Sequence, residues 1–401
     1  MKIVVNDHSG HAFPLQLSRQ LADCGHQVLH AYSASFQSPK GDFSTVNENG
    51  SLEVLPISIT GIFDKYSLLK RRRQEIEYAR KLAKQLDVFQ PEVILSGTTP
   101  LFVQQYLQRY CRQRQIRFIY WCQDIYTVAI QQIAKKKLGA LGFPIWYYFK
   151  KLESGLLRKS HHIVSITSDF NHIFRQWKVQ LEKVTCIPNW APISEIMLVE
   201  KNNDWARKYG LTDKTCLVYS GTLGLKHNPA ILVAAARHFR QHSGVVFIVI
   251  SEGLGADYLQ KEKQRHGLDN LLVLPFQDFK QMSEVLGTAD VLLAILEKEA
   301  GIYSVPSKVL TYLCAQKPIV VAMPLSNLSA TIIHNNEVGY CVSPDDERGF
   351  CKYLELLVDN QTLRRKLGQN GRAYAERTFD IQRIGNEFME IFNKTIEAAA
   401  N

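Results

Sequence analysis

The sequence predicts an α/β protein made of two Rossmann-like, doubly wound domains that face each other across a cleft. Short apolar segments alternate with amphipathic helical segments in both halves of the chain, a pattern typical of parallel sheets covered by helices on both faces. A chain of 401 residues is long for one hydrophobic core and comfortable for two domains. Domains of this kind bind ligands at the carboxyl ends of their strands.

In the N-terminal half, the first strand is predicted at Lys2–Val5, and a polar loop that contains Gly10 follows it. A helical pattern then ends at Gly25, before a second strand at Gln27–His30. A strand, a helix and a strand in this order indicate parallel pairing. The same half contains predicted strands Pro91–Ser96, Arg117–Trp121, His162–Ile166 and Lys183–Ile187, and predicted helices Phe102–Arg114 and Glu153–Lys159.

The C-terminal half repeats this pattern more regularly. Its predicted strands are Cys216–Tyr219, Val245–Ile250, Leu271–Leu274, Val291–Ile295 and Ile319–Met323, and its helical segments include Asn228–Gln241, Asp278–Leu286 and Ser307–Gln316. Continuous apolar strands indicate a sheet that is buried on both faces.

The predicted organisation is an N-terminal domain at 1–190, a linker at 191–204, a C-terminal domain at 205–379 and a bracing helix at 380–401. Pro188–Pro192 contains two prolines and precedes a polar tract, as linkers often do. Asp380 is a favourable N-cap, and apolar residues follow it at helical spacing. The sequence leaves open which domain this last helix packs against.

Composition favours a protein of the cytoplasm. The eight cysteines are scattered, with no CxxC pair and no histidine at zinc-ligand spacing, which is typical of reduced, mostly buried thiols. Polar residues follow the first strand at once, so we expect no signal peptide. No apolar run reaches the ~20 residues that span a bilayer.

The net charge of +10 comes from the N-terminal half. Residues 1–190 contain 25 Lys and Arg against 14 Asp and Glu, whereas the remaining residues contain 23 against 24. We therefore expect an anionic partner to contact the N-terminal half.

One loop of the C-terminal half has the composition of a phosphate site. After the strand that ends at Ser220, Gly221 and Gly224 precede Lys226, and Asn228 and Pro229 then begin a helix. Glycines permit close approach of the backbone to an anion, the helix start presents N–H groups, and the lysine adds a charge. An ordinary strand–turn–helix with an exposed lysine is the alternative.

Two further loops follow neighbouring strands. Pro306, Ser307 and Lys308 begin a helix, and a cation in a first helical turn is unfavourable unless an anion binds there. The alternative is a solvated lysine on a loop. Glu252 and Gly253 belong to a weaker glycine-containing loop that tight-turn packing explains equally well.

The ordered set of motifs resembles a known family. The segments SGTLGLKHNP, VISEGLG, TADVLLAIL and VPSKVLTYLCAQKPIVVA resemble the donor domain of the family-4 glycosyltransferases, which have the GT-B fold. The segments HSGHAFPLQLSRQLADCGHQVLHAY, FIYWCQDIY and VTCIPNWAP are similar to bacterial members that build surface polysaccharides. The resemblance covers nearly the whole chain.

The resemblance implies a retaining, hexosyltransferase-type enzyme that uses a nucleotide-sugar donor. Lys226 and Lys308 would face the diphosphate, and Thr311 and Thr222 stand where many relatives have a ribose-binding carboxylate and an arginine. The implied donor-binding residues are Gly221, Thr222, Lys226, Glu252, Gly253, Ser307, Lys308 and Thr311.

On the acceptor side, the resemblance implies catalytic roles for Gly10, His11 and Asp124, with His8 and Gln123 nearby. Gln123 stands where many relatives have a histidine. Surface loop positions are the alternative for both histidines. The sequence has no Asp-x-Asp at a strand end, and Asp345–Asp346 lies in a polar turn, so we expect no metal and no cofactor besides the donor.

A basic and aromatic segment predicts contact with a membrane. Lys135, Lys136 and Lys137 precede the uncharged stretch Leu138–Phe149, which Lys150 and Lys151 follow. As a helix the stretch would cover only ~18 Å, too short to span a bilayer. Lysines that flank Trp146 and Tyr147 are typical of an interfacial anchor on anionic lipid. A buried helix–loop is the alternative; nucleic acid is disfavoured because the aromatic residues do not alternate with the cations.

The leading hypothesis is therefore transfer of a sugar to a lipid-linked saccharide at the cytoplasmic membrane face. A GT-B nucleotide-sugar 2-epimerase is one alternative, although the N-terminal half is poor in acids. A non-catalytic glycosyltransferase-like subunit is the other, because Thr311 and Gln123 replace the usual residues.

Overall fold

The computed structural model describes residues 1–36, 43, 50–61, 67–224, 227–298 and 306–398. It divides into two compact units. The first comprises Met1–Asn189 and Asp380–Asn401, and the second comprises Trp190–Phe379.

The first unit contains a seven-stranded sheet in the order β3-β2-β1-β4-β5-β6-β7, in which all neighbouring strands are parallel. The strand order reverses between β1 and β4, which is the switch point where doubly wound domains bind ligands. The strands are β1 (Lys2–Asp7), β2 (Gln27–Ser33), β3 (Leu52–Ile57), β4 (Val93–Gly97), β5 (Arg117–Cys122), β6 (His162–Ser165) and β7 (Val184–Cys186).

Among the described residues, six α-helices accompany this sheet before the chain enters the second unit. They are α1 (Ala12–Asp23), α2 (Leu68–Phe89), α3 (Leu101–Gln113), α4 (Tyr126–Leu138), α5 (Phe143–Lys159) and α6 (Asn171–Gln176). The strands predicted in this half are confirmed with small shifts at their ends. β3, α2, α4 and α6 are additions, and α5 begins ten residues before the predicted helix Glu153–Lys159.

The second unit contains a six-stranded parallel sheet in the order β10-β9-β8-β11-β12-β13, with its switch point between β8 and β11. The strands are β8 (Thr215–Ser220), β9 (Val245–Ile250), β10 (Leu271–Leu274), β11 (Val291–Ile295), β12 (Ile319–Ala322) and β13 (Gly339–Val342). Its helices are α7 (Asp204–Lys208), α8 (Ala230–His238), α9 (Leu254–His266), α10 (Met282–Thr288), α11 (Ser307–Cys314), α12 (Leu328–Asn335), α13 (Glu347–Asp359) and α14 (Gln361–Thr378). The prediction of two doubly wound α/β domains is confirmed.

Residues 191–204, the expected linker, belong to the second unit. Ile196 is buried there, and the Asn203 side chain caps α7 by accepting the N–H of Ala206 at 2.9 Å. The backbone that follows the prolines near residue 190 is therefore irregular, but it packs as part of the second unit.

The last helix, α15 (Ile381–Glu397), packs against the first unit. Asp380 caps it by accepting the N–H groups of Gln382 and Arg383. The buried ring of Phe388 lies 5.1 Å from the Trp121 ring of β5. The structure thus settles which sheet carries this helix.

In the described part of the chain, no helix is both long enough and apolar enough to cross a bilayer. All eight cysteines are free, and most are buried.

Candidate functional site

A buried carboxylate organises the loop after the first strand. Asp7 ends β1, and its side chain accepts the N–H groups of Ser9 at 3.2 Å and His11 at 2.5 Å. The hydroxyl of Thr98, which follows β4, also donates to it. Gly10 adopts a left-handed φ of 75°, and its N–H donates to the Asp7 carbonyl at 3.1 Å. The switch point of this sheet is therefore held by one carboxylate that sequence reasoning missed.

The two histidines of this loop differ in environment. His8 is buried, with its ring 4.7 Å from the Tyr78 ring and 5.4 Å from the Phe36 ring. This packing differs from both the acceptor-facing position and the surface position considered for it. His11 is half-buried, and its Nδ1 has no hydrogen-bond partner among the described residues.

The loop after β5 carries Gln123 and Asp124. The buried Gln123 accepts a hydrogen bond from the Asn189 side chain at 2.5 Å, and Asp124 is half-buried. The structure therefore places Gln123 and Asp124 at the same sheet edge as Gly10 and His11, since all follow parallel strands of one sheet.

Glu153, on α5, holds the start of α4 directly after this loop. Its fully buried carboxylate accepts the N–H groups of Tyr126 at 3.0 Å and Thr127 at 2.7 Å. The pKa of Glu153 is raised to about 7, chiefly by burial and to a smaller extent by the nearby charge of Asp124, against the lowering effect of these hydrogen bonds. An acid inside a helical run gives no sequence signal for this role.

In the second unit, Gly221 and Lys308 come together. Gly221 follows β8 with a φ of 135°, and a Cβ built on it would lie 3.1 Å from Lys308 Cε. The Lys308 ammonium lies 3.6 Å from the centroid of the Tyr219 ring. Lys226 lies outside the described residues, as do residues 299–305. Of the two predicted phosphate lysines, the structure therefore locates Lys308 beside the glycine loop.

Helix α11 begins as predicted. Ser307 is its first residue and is exposed, Lys308 is in its first turn, and Pro306 precedes it. The first turn of this fully described helix contains no acidic residue. Thr311, one turn on, is half-buried. The N–H groups and the cation at this helix start form a suitable site for an anion.

The other predicted donor-binding residues lie in the loop after β8 and in the neighbouring loop after β9. The Leu223 N–H donates to the Ser251 hydroxyl at 3.1 Å, whereas the exposed Thr222 follows Gly221. The Glu252 carboxylate accepts the N–H of Phe276 at 3.1 Å. Gly253 has a φ of 87°, and a Cβ on Gly255 would lie 2.4 Å from Leu223 Cβ. Close packing therefore explains the second glycine of this weak motif.

The basic and aromatic segment forms the α4–α5 hairpin. A 3-10 turn at Gly139–Gly142 joins the helices, and several large apolar side chains at this tip are exposed. Leu141 is 80% exposed and Phe143 is 61% exposed, and Leu138, Tyr147 and Tyr148 are exposed as well. The tip is therefore a surface, in disagreement with the buried alternative.

Two lysines of the hairpin lie over aromatic rings. Lys150 Nζ lies 5.0 Å from the ring of the half-buried Trp146, and Lys151 Nζ lies 5.3 Å from the Tyr147 ring. Lys135 is exposed at the end of α4. The side chains of Lys136 and Lys137 lie outside the described set.

Two family models match consecutive parts of the chain. The model for Glycosyltransferase Family 4 matches residues 13–195, and the model for Glycosyl transferases group 1 matches residues 201–374. Together they cover most of both units. This chain belongs to the family-4 glycosyltransferases.

Curated relatives of this chain are distant. The chain is 25% identical, over 53% of its length, to a putative colanic acid biosynthesis glycosyl transferase, WcaI, of Escherichia coli. It is 20% identical, over 63% of its length, to an uncharacterized glycosyltransferase of Methanocaldococcus jannaschii. The matches span 52% and 63% of these two proteins.

Solved structures share its fold over nearly the whole chain. A sucrose-phosphate synthase from Thermosynechococcus elongatus aligns with a TM-score of 0.77 at 13% identity, covering 99% of this chain and 100% of that one. Anabaena HepE in complex with UDP and glucose aligns with a TM-score of 0.73 at 14% identity, covering 98% and 100%. WaaG, a lipopolysaccharide glycosyltransferase, has a TM-score of 0.69 at 13% identity, covering 98% and 99%. The predicted GT-B fold is confirmed.

Glu153 should give the protein a pH-dependent stability. Its folded pKa lies above the ordinary value, so its stabilising contribution is complete below about pH 4.5 and is lost as the pH rises through about 7. Glu153→Gln should remove this loss. The difference in unfolding free energy between the variant and the wild type should therefore shift in favour of the variant by up to about 3 kcal/mol between pH 5 and 8.

Urea unfolding at several pH values measures this difference, with the exposed Glu182→Gln as the control in the same unit. A constant difference between wild type and Glu153→Gln across this range would contradict the proposed burial of the charge.

Proposed function

We propose that this chain is a retaining glycosyltransferase that moves a sugar from a nucleotide-sugar donor to a lipid-linked saccharide in the synthesis of a cell-surface polysaccharide. The observation that carries this proposal is Lys308 at the start of α11, packed against Gly221 at the switch point of the second sheet. A nucleoside diphosphate is the leaving group of such a reaction, and this cation and the adjacent N–H groups suit it.

The chemistry requires stabilisation of negative charge on the departing diphosphate. In this proposal Lys226, Lys308 and the start of α11 supply that stabilisation, without a metal ion. The Gly10 loop, fixed by Asp7, presents backbone groups on the other unit, and Asp124 contacts sugar hydroxyls. Retention at the anomeric carbon follows the family resemblance.

The relatives support the substrate classes. HepE has been solved with UDP and with UDP-glucose, which favours a nucleotide sugar here. The names of WcaI and WaaG refer to colanic acid and lipopolysaccharide, which favours a surface saccharide as the acceptor.

Lys308→Ala and Lys226→Ala should each weaken nucleoside-diphosphate binding by roughly 1.5–3 kcal/mol, because a charge-assisted hydrogen bond is lost. Isothermal titration calorimetry with UDP, GDP, ADP and dTDP measures this loss, and the exposed Lys261→Ala on α9 is the control. Unchanged affinity in both folded variants would remove the proposed phosphate site.

Activity should survive a strong chelator, because the proposed stabilisation of the leaving group uses only protein cations and N–H groups. Release of nucleoside diphosphate with donor and acceptor, measured in EDTA, tests this. Complete loss of activity that magnesium or manganese restores would contradict it. Proton NMR of the product gives its anomeric configuration, and turnover of donor without acceptor would favour the 2-epimerase.

We further propose that the α4–α5 tip docks on the anionic inner face of the cytoplasmic membrane. Exposed apolar side chains at the tip, chiefly Leu141 and Phe143, can enter the interface, and Lys135, Lys150 and Lys151 flank them. The basic excess of the N-terminal half adds to the attraction. This surface would bring a membrane-bound acceptor to the same unit that carries Gly10 and Asp124.

Replacing Lys135, Lys136, Lys137, Lys150 and Lys151 by Gln should strongly reduce binding to phosphatidylglycerol vesicles, since each cation contributes about 1 kcal/mol before salt screening. Leu141→Ser with Phe143→Ser should remove the salt-resistant part, because apolar burial is lost. Trp146→Ser should do so in part, because that ring is half-buried. Vesicle sedimentation at low and high salt measures both effects.

The control is Val88→Ser, an equally exposed apolar residue at the far end of α2. Nucleoside-diphosphate affinity should stay unchanged in every variant, since the donor site lies in the other unit. Wild-type sedimentation of the five-lysine variant would refute docking on anionic lipid.

A further inference from the structure

Tyr219 lies beneath the candidate phosphate site. It is fully buried at the end of β8, and its hydroxyl accepts a hydrogen bond from the Lys308 ammonium. The same hydroxyl donates to the Thr222 carbonyl at 2.9 Å. One phenol therefore joins the lysine of α11 to the glycine loop after β8.

A second tyrosine fixes the adjoining backbone. The Tyr312 hydroxyl accepts the N–H of Ser220 at 2.8 Å and donates to the Ser220 carbonyl at 3.1 Å. Tyr312 belongs to the same helix as Lys308, so it fixes α11 against the end of β8. The backbone on both sides of the Tyr219–Lys308 contact is thus held in place, and the ring and hydroxyl of Tyr219 contact the flexible lysine side chain between them.

We propose that Tyr219 is a positioning residue that holds the Lys308 ammonium at Gly221, ready for the diphosphate of the donor. This inference rests on the proposed function of the site. A free lysine loses considerable side-chain entropy when it binds a ligand. Contact with the ring face and the hydroxyl restricts the ammonium beforehand, and the cation–π contact adds attraction.

A phenol suits this role better than a carboxylate would. Burial raises the pKa of Tyr219 well above its ordinary value, so the phenol stays neutral. A neutral partner of this kind orients the ammonium without cancelling its charge.

Tyr219→Phe tests the inference because it removes the hydroxyl and keeps the buried ring. The probe is whichever of UDP, GDP, ADP and dTDP binds the wild type most tightly by calorimetry. Tyr219→Phe should weaken its binding about tenfold, as expected for loss of a hydrogen bond that orders a charged group. In a Lys308→Ala background the same change should have little effect, because the group that Tyr219 positions is absent.

Tyr340→Phe is the matched control, since Tyr340 lies in the same unit on β13, three strands from β8. Unchanged or tighter binding in Tyr219→Phe would overturn the inference, and so would an equal loss in both backgrounds. Either result would leave the donor site itself in place.

A second measurement does not need a nucleotide. Reductive methylation of Lys308, followed by mass spectrometry with Lys261 as the internal reference, should be several-fold faster in Tyr219→Phe than in the wild type. An unchanged rate would overturn the inference even if none of the nucleotides binds. Absence of nucleotide binding to the wild type would instead reject the proposed function.

Discussion

The parallel pairing of β1 with β4 and of β8 with β11 is the constraint on which both candidate sites depend. Parallel strands end at one sheet edge, so loops that are far apart in sequence meet there. In the first unit this brings Thr98 to the Asp7 carboxylate, and in the second it brings Lys308 to Gly221. Each site therefore depends on strand order, because the sheet fixes where the loops that carry the site residues begin.

The fold could be predicted from the sequence because the strands are continuous apolar runs with helices between them. Two of the elements that the sequence did not reveal, β3 and α2, have weaker patterns. β3 is only partly buried along its length, and its register is set by pairing with β2. Helix α2 is long and rich in charged residues, and many polar residues separate its buried apolar ones. Such elements depend on tertiary packing more than on local preference.

The site was predictable where its signal is local and hidden where it is long-range. The sequence predicts a helix start at Pro306 and Ser307, followed by Lys308, a cation in a first turn where the helix dipole disfavours it. Helix α11 begins there. Asp7, Glu153 and Tyr219 gave no such signal, because each has at least one partner that is distant in the sequence. A buried polar group requires hydrogen bonds that only the folded chain supplies, so its role becomes visible only in the structure.

The charge of each of these three buried groups suits the group that it contacts. Asp7 and Glu153 accept backbone N–H groups in the first unit, where negative charge can fix a loop or a helix start. At the candidate phosphate site of the second unit, a buried and neutral phenol is a partner of Lys308. A buried carboxylate at that position would form an ion pair with the lysine and compete with the donor diphosphate. If charge on the leaving group is what the enzyme must stabilise, acids can organise one unit while a neutral hydroxyl orients the cation in the other.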